Sequence, residues 1–225
     1  MIKLLSIVGP LKRGKSTVAC SGPKPMVYFD LELGWDRVED RFKEGDIKLE
    51  SLDMGINVPI QKQWSQFETA FNKALLDNDV KSIVLDTGSA VWEMRRSVGL
   101  AEVQATKSDR EKLAKVEYTP LNEDMRKMFK QAKVYGKVLI VIHHVKEQYL
   151  SNQPTGTLIP DGFKETGDFM DLELWMDIEK GKDGLYHPYG IIKECGLSMA
   201  ATGLKVPEPT YDKLETLVKG FRGEV

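Results

Sequence analysis

The stretch Gly9-Pro10-Leu11-Lys12-Arg13-Gly14-Lys15-Ser16 constrains the fold of this chain more than any other. It fits the spacing G-x-x-x-x-G-K-[ST], a phosphate-binding loop that works only between a buried strand and the start of a helix. Ile2 to Val8 is a strand-like apolar run placed just before it, and Ser16 to Cys20 reads as a short helix just after. The glycines let the backbone curl with its N–H groups turned inward, and the helix N-terminus adds partial positive charge. The candidate phosphate-binding segment is Gly9, Pro10, Leu11, Lys12, Arg13, Gly14, Lys15, Ser16 and Thr17. Lys15 would reach the β- and γ-phosphates of a nucleotide, and the Ser16 hydroxyl would ligate Mg²⁺. The plain alternative is a basic, glycine-rich turn, which the strand-before, helix-after context disfavours.

Past this loop the chain alternates strand and helix patterns, which points to an α/β fold with a mainly parallel sheet flanked by helices. Met26 to Asp30, Ser82 to Asp86 and Lys137 to His144 read as buried strands, with a shorter one at Asp46 to Leu52. Trp64 to Leu76, Ala90 to Val103 and Asn122 to Tyr135 read as helices; the first carries Phe67, Ala70, Phe71, Ala74 and Leu75 on one face. Gly136 stops the third. Ala105 to Glu117 is charged, as helix or ordered loop. Gln148 to Asp168, rich in Gly, Pro, Thr and Asp, reads as a long loop of the kind that carries function. Leu172 to Glu179 and Tyr189 to Glu194 look like a C-terminal antiparallel strand pair before a last helix, Thr210 to Val218. With no repeat or forced boundary, residues 1–225 are expected to form one domain.

A phosphate loop needs a second carboxylate to hold the metal, at the end of a neighbouring strand. Asp86 fits, because it closes an apolar run and precedes Thr87 and Gly88; a simple strand-end cap is the alternative. Hydrolysis also needs a group to orient water. Asp30 and Glu32 follow the second strand and fall on one side by alternation, at the edge where open α/β sheets bind ligands. Glu32 is the candidate for activating water; an acidic loop closing a strand is the alternative. His143 and His144 end the last core strand and point to opposite faces. They read either as one half-buried and one exposed histidine, or as a pair in which His144 senses the γ-phosphate. Adjacent histidines pointing apart, with no Cys or acid cluster beside them, do not make a zinc site.

Composition excludes several classes. The formal charge of −2 over 225 residues argues against a protein driven to nucleic acid by a basic tail, although a local patch is compatible with it. Cys20 and Cys195 have neither metal nor disulfide spacing and read as small core residues. The first strand begins at residue 2 and the longest interior apolar run, Val138 to Ile142, is too short for a bilayer. No leader and no membrane association are expected, and the location is expected to be cytoplasmic.

The order of these motifs resembles the RecA-like ATPase core. Asp30-Leu31-Glu32-Leu33-Gly34-Trp35-Asp36 is similar to the acidic stretch that carries RecA's catalytic glutamate. Val84-Leu85-Asp86-Thr87 looks like its metal-binding strand, and Ile142-His143-His144-Val145-Lys146 stands where RecA has a sensor glutamine leading into a DNA-binding loop. The compactness resembles the phage-encoded branch of small AAA-type nucleotide-binding proteins and Sak-type single-strand annealing ATPases. The shared features are Lys24-Pro25 leading to Asp30 and Glu32, Tyr118-Thr119-Pro120-Leu121-Asn122, and His144. The resemblance covers roughly residues 2 to 195. It implies ATP and Mg²⁺ as cofactors, with Lys15 and Ser16 on phosphate and metal, Asp86 completing the metal site, and Glu32 and His144 acting in catalysis. It also implies hydrolysis of ATP in DNA recombination or annealing, with single-stranded DNA as partner along residues 146 to 164, homo-oligomers, and a single-strand-binding or replication protein as a further partner. A phage-encoded protein would work in the host cytoplasm. The chain departs from RecA in having His as sensor and no room for a polymerisation segment before residue 2. Lys193 falls only loosely where RecA supplies lysines to a neighbouring subunit.

Candidates for holding single strands are Lys146, Tyr149, Phe163 and Lys164, with Arg95, Arg96, Lys107 and Arg110. Glu147, Asp161, Glu165 and Asp168 sit among them, so a solvated loop of mixed charge is the alternative. Two further readings remain: a nucleotide-dependent switch or loader acting on a protein, and a small-molecule kinase. The absence of any arginine between Lys137 and Gly196 argues against a kinase lid. An arginine finger from Arg95, Arg96 or Arg222 is unassigned by sequence.

Overall fold

The computed structural model describes residues 1–42, 45–52, 55, 57–151 and 153–224. β1 (Leu4–Val8) runs into the phosphate loop and α1 (Lys15–Ala19). β2 (Met26–Asp30) is followed by single 3₁₀ turns at Trp35–Arg37 and Glu39–Arg41, then β3 (Ile47–Glu50) and α2 (Ile60–Leu76). β4 (Ser82–Asp86), α3 (Gly88–Gln104), α4 (Tyr118–Val134) and β5 (Val138–His143) complete the core. A hairpin of β6 (Val145–Leu150) and β7 (Gln153–Pro160) leads to the single turn α5 (Thr166–Phe169). β8 (Leu172–Lys180), β9 (Tyr186–Cys195), β10 (Lys205–Pro207) and α6 (Tyr211–Arg222) close the chain.

Eight of these strands form one sheet in the order β10-β9-β8-β1-β5-β4-β2-β3. Its members from β3 to β8 run parallel, while β9 is antiparallel to both β8 and β10. The central strands are apolar almost throughout because both faces are covered. Alternation sorts their side chains into two cores. Leu5, Ile7, Tyr28, Val84, Ile140 and Ile142 pack with Val18 and Ala19 of α1 and with Tyr211, Leu214 and Val218 of α6. Leu4, Phe29, Ile83, Leu85, Leu139 and Val141 pack on the other side with Phe67 and Phe71 of α2, Val91 and Met94 of α3, and Met125 and Phe129 of α4. Gly88 lets α3 start hard against β5, since a Cβ there would lie 2.3 Å from Val141 Cγ1.

The expected strands and helices are present, α2 and α4 each beginning about one turn earlier than the apolar pattern indicates. The stretch read as one long loop, residues 148–168, is different. Most of it is strand, forming with residues 145–147 a separate two-stranded sheet, and the rest includes α5. Glycine and proline mask the pattern there, because the hairpin is solvated on both faces and has no apolar alternation to reveal it. Cys20 and Cys195 are free and buried, as expected. Among the described residues no helix is long and apolar enough to cross a membrane.

Candidate functional site

The parallel register brings the ends of β1, β2, β4 and β5 to one edge of the sheet, with Asp30 beside Asp86 and Val8 beside His143. At that edge the phosphate loop turns through Gly9 (φ 153°), Lys12 (φ 60°) and Gly14 (φ 82°). Gly9 is required twice over: by its backbone angle, and because a Cβ would meet the Met176 carbonyl oxygen at 2.6 Å. Gly14 caps α1 without any side-chain acceptor, leaving its first turn open to an external anion.

Lys15 is buried at the centre of this loop. Its Nζ donates to the carbonyls of Gly9 and Pro10, at 2.7 Å each. Burial pulls the ammonium below the usual lysine range; Asp86 and Glu32 oppose that shift, and Arg13 adds to it. An ammonium lodged on two neutral carbonyls gains from phosphate oxygens, which bring the opposite charge. Arg13 turns away to Asp177 of β8, 3.1 Å from its carboxylate.

Ser16 Oγ donates to Asp86 Oδ2 at 2.8 Å, and the Tyr28 hydroxyl donates to the same oxygen. Burial raises the Asp86 carboxyl; the Tyr28 and Ser16 hydrogen bonds hold it down, and the charges of Asp30 and Glu32 push it further up. A divalent cation would relieve that crowding of negative charge. Ser16 and Asp86, 2.8 Å apart, are the residues that would hold such a cation. No group of three or more His, Cys, Asp or Glu placed to hold a metal exists among the described residues. One carboxylate and one hydroxyl would hold a divalent cation only with phosphate and water supplying the remaining ligands.

Glu32 lies across the cavity from Lys15. Thr87 Oγ1 donates to its Oε1 at 2.7 Å, and His144 Nε2 lies 2.8 Å from Oε2 and 3.0 Å from Oε1. Thr87 also caps α3 by accepting from Ala90 N–H, so the carboxylate is tied to a helix start. Asp30 shares the strand end with Glu32 but is occupied: its oxygens accept from Gly34 N–H and Trp35 N–H, at 2.8 Å each. Together Leu11 to Thr17, Glu32, Asp86, His144, Arg37 and Val38 line a cavity of about 320 Å³. That volume lies within the usual range for a small-ligand site.

The two histidines diverge as alternation requires. His143 is buried beneath α3, where desolvation lowers its pKa to about 4, with Nδ1 2.9 Å from the Asp161 carbonyl. His144 reaches the cavity, and its N–H donates to Ser89 Oγ at 3.3 Å.

The candidate nucleic-acid residues are not brought together. Phe163 is 5% exposed and packs on Trp92 and Phe129, so it offers no face to a base. Arg95 is buried against Asp124 at 2.7 Å, with the Trp64 ring 5.6 Å away. Arg96 pairs with Glu93, Arg110 with Glu117, Lys146 with Asp161 and Arg222 with Glu224. Lys107 and Lys164 are exposed, as is Tyr149 on the hairpin. Lys193 Nζ lies 5.6 Å from the Trp175 ring centre. Sequence reasoning missed Tyr28, Thr87 and Arg37; the register of β2 against β4 was the available signal for the first.

No curated protein matches the chain. Among solved structures the RadB recombinase is similar, with a TM-score of 0.54 and 16% identity over 91% of this chain and 85% of that one. At that identity the likeness is one of fold, and the fold is RecA-like. The AAA domain family model matches residues 3–178 and so spans the phosphate loop, Glu32, Asp86 and His144. The chain belongs to the AAA domain family.

Proposed function

We propose that this chain is a Mg²⁺-dependent ATPase working as a single RecA-like domain. The observation that carries the reading is the convergence of Lys15, Ser16, Asp86, Glu32 and His144 on one cavity at the strand edge. In this reading the loop from Gly9 to Thr17 binds the phosphates, and Lys15 exchanges its two carbonyl partners for phosphate oxygens. Ser16 and Asp86 hold Mg²⁺, which supplies charge neutralisation on the phosphate chain. Glu32 orients the attacking water, and its carboxylate is held for that purpose by Thr87 and His144. His144 also reports the loss of the γ-phosphate, because it lines the cavity while its backbone opens β6 through Val145.

The target follows from resemblance: single-stranded DNA, in recombination or annealing, for a phage-encoded, Sak-type protein of the host cytoplasm acting as a homo-oligomer beside a single-strand-binding or replication protein. The likeness to the RadB recombinase supports that direction. One observation favours the second reading, a switch or loader acting on a protein. Residues 148–160 contain no charged side chain, and the hairpin exposes Tyr149, Leu150 and Leu158. Such a surface suits an apolar partner better than a phosphate backbone. ATP turnover with Mg²⁺, measured with and without single-stranded DNA, separates the two. Several-fold stimulation supports the recombination reading; turnover indifferent to DNA supports the protein partner.

A further inference from the structure

Tyr28 is fully buried in the core on the α1 face of the sheet, among Val84, Ile140 and Val18. A phenylalanine would fill the same space. What distinguishes tyrosine is the hydroxyl, and a buried hydroxyl is costly without a partner. Here the partner is the Asp86 carboxylate. The register explains the reach: Tyr28 pairs with Val84 and Asp30 with Asp86, so Tyr28 lies one rung below the carboxylate on the same face. Ser16 Oγ meets the same carboxylate oxygen at 2.8 Å from the α1 side. One Asp86 oxygen is therefore held by two hydroxyls within reach of each other, one carried by the phosphate loop and one by the core.

We propose that Tyr28 is a positioning residue for the divalent cation, its hydroxyl fixing the Asp86 carboxylate toward Ser16. This rests on the nucleotide reading above. The Ser16 hydroxyl keeps its proton for Asp86 while its lone pairs remain open to a cation, but it sits on the short phosphate-loop helix. The Tyr28 hydroxyl is carried by a ring locked in the core. Partners of this kind, one bond behind a ligating carboxylate, typically change metal affinity 10–100-fold when removed. The ring also touches Trp35, with centroids 5.0 Å apart, in the turn that supplies Arg37 to the cavity lining. Tyr28→Phe keeps that contact and removes only the hydrogen bond.

The test is binding of a non-hydrolysable fluorescent ATP analogue, titrated with MgCl₂ and repeated in EDTA, for wild type, Tyr28→Phe, Asp86→Asn and the double variant. Tyr28→Phe is expected to raise the Mg²⁺ concentration for half-maximal binding by about 10-fold, with the affinity in EDTA within about twofold of wild type. In the Asp86→Asn background it should add nothing, because the two groups act as one unit. The EDTA arm also shows that the variant is folded. An unchanged Mg²⁺ requirement in Tyr28→Phe, while Asp86→Asn shifts, would overturn the proposal and leave the nucleotide reading intact. An equal loss with and without Mg²⁺ would also overturn it, by making the hydroxyl structural. A wild-type protein that binds no analogue would overturn the nucleotide reading, and this inference with it.

Discussion

The strand edge that holds the cavity and the β6–β7 hairpin that follows it are built on opposite principles. At the edge, each polar group stands at the end of a strand whose other residues are buried on both faces. Its position is set by packing that extends across the whole sheet. In the hairpin each strand pairs only with the other and solvent covers the rest; Leu150 is 62% exposed and Leu158 47%. A lone two-stranded sheet is marginal in water, and its ordering energy must come from its base or from something docked on it. At the base, Lys146 pairs with Asp161, and Ser89 donates to the Asp161 carbonyl at 2.8 Å. The polar groups of the cavity are thus anchored by packing, whereas the apolar side chains of the hairpin are left exposed. The two are joined at His144, which belongs to the cavity and begins the hairpin.

The sharpest way to break this comparison is at Glu32. Glu32→Gln should keep nucleotide binding yet slow turnover by about 10²–10⁴-fold, as loss of a group that handles a proton in the transition state does. Single-turnover kinetics checks it, and a wild-type rate would remove Glu32 from the mechanism. Next is the core beneath the edge. Phe67 stacks with Phe71 and meets Phe29 edge-on at 5.5 Å, so Phe67→Ala should lower stability by about 3–5 kcal/mol. Leu158→Ser in the hairpin should change it by less than about 0.5 kcal/mol in the same urea titration. A large loss there would show that the hairpin is part of the core.

His143 gives a pH signature to the rigid side. Its folded pKa of about 4 lies below the ordinary value of 6.5, so between those values the unfolded chain takes up a proton that the folded chain refuses. Stability from this group is complete above about pH 6.5 and is lost as pH falls toward 4, by about 3 kcal/mol in all. His143→Gln should flatten that slope relative to wild type; parallel curves would assign the acid sensitivity elsewhere. The smallest effect is read on the exposed hairpin. If single-stranded DNA binds through about four phosphates, log affinity should fall against log salt with a slope of about −3. A flat dependence would rule out phosphate contacts and favour a protein on the hairpin.

Much of the rigid half is legible in the sequence for a physical reason: the phosphate loop and the strand-end acids are local patterns, and burial on both faces makes the strands continuous apolar runs. Glu32, Asp86 and His144 could be placed at one edge because parallel strands of similar length end together. What was not legible depended on partners distant in sequence. Asp30 and Glu32 look equivalent as a pair, yet only the folded turn shows Asp30 bound to Gly34 and Trp35. Arg95 and Phe163 look available until α4 supplies Asp124 and Phe129. The arginines named as fingers are all paired, whereas Arg37, which no pattern singled out, lines the cavity.

Everything proposed for the cavity turns on Lys15 binding phosphate. Phosphate release from ATP is to be measured for wild type and Lys15→Ala under the same Mg²⁺ and protein concentrations. Turnover is expected in the wild type, with a loss of about 10²-fold or more in the variant, the cost of removing a charge aimed at the transition state. Equal turnover in the two proteins would remove Lys15 from the site's chemistry.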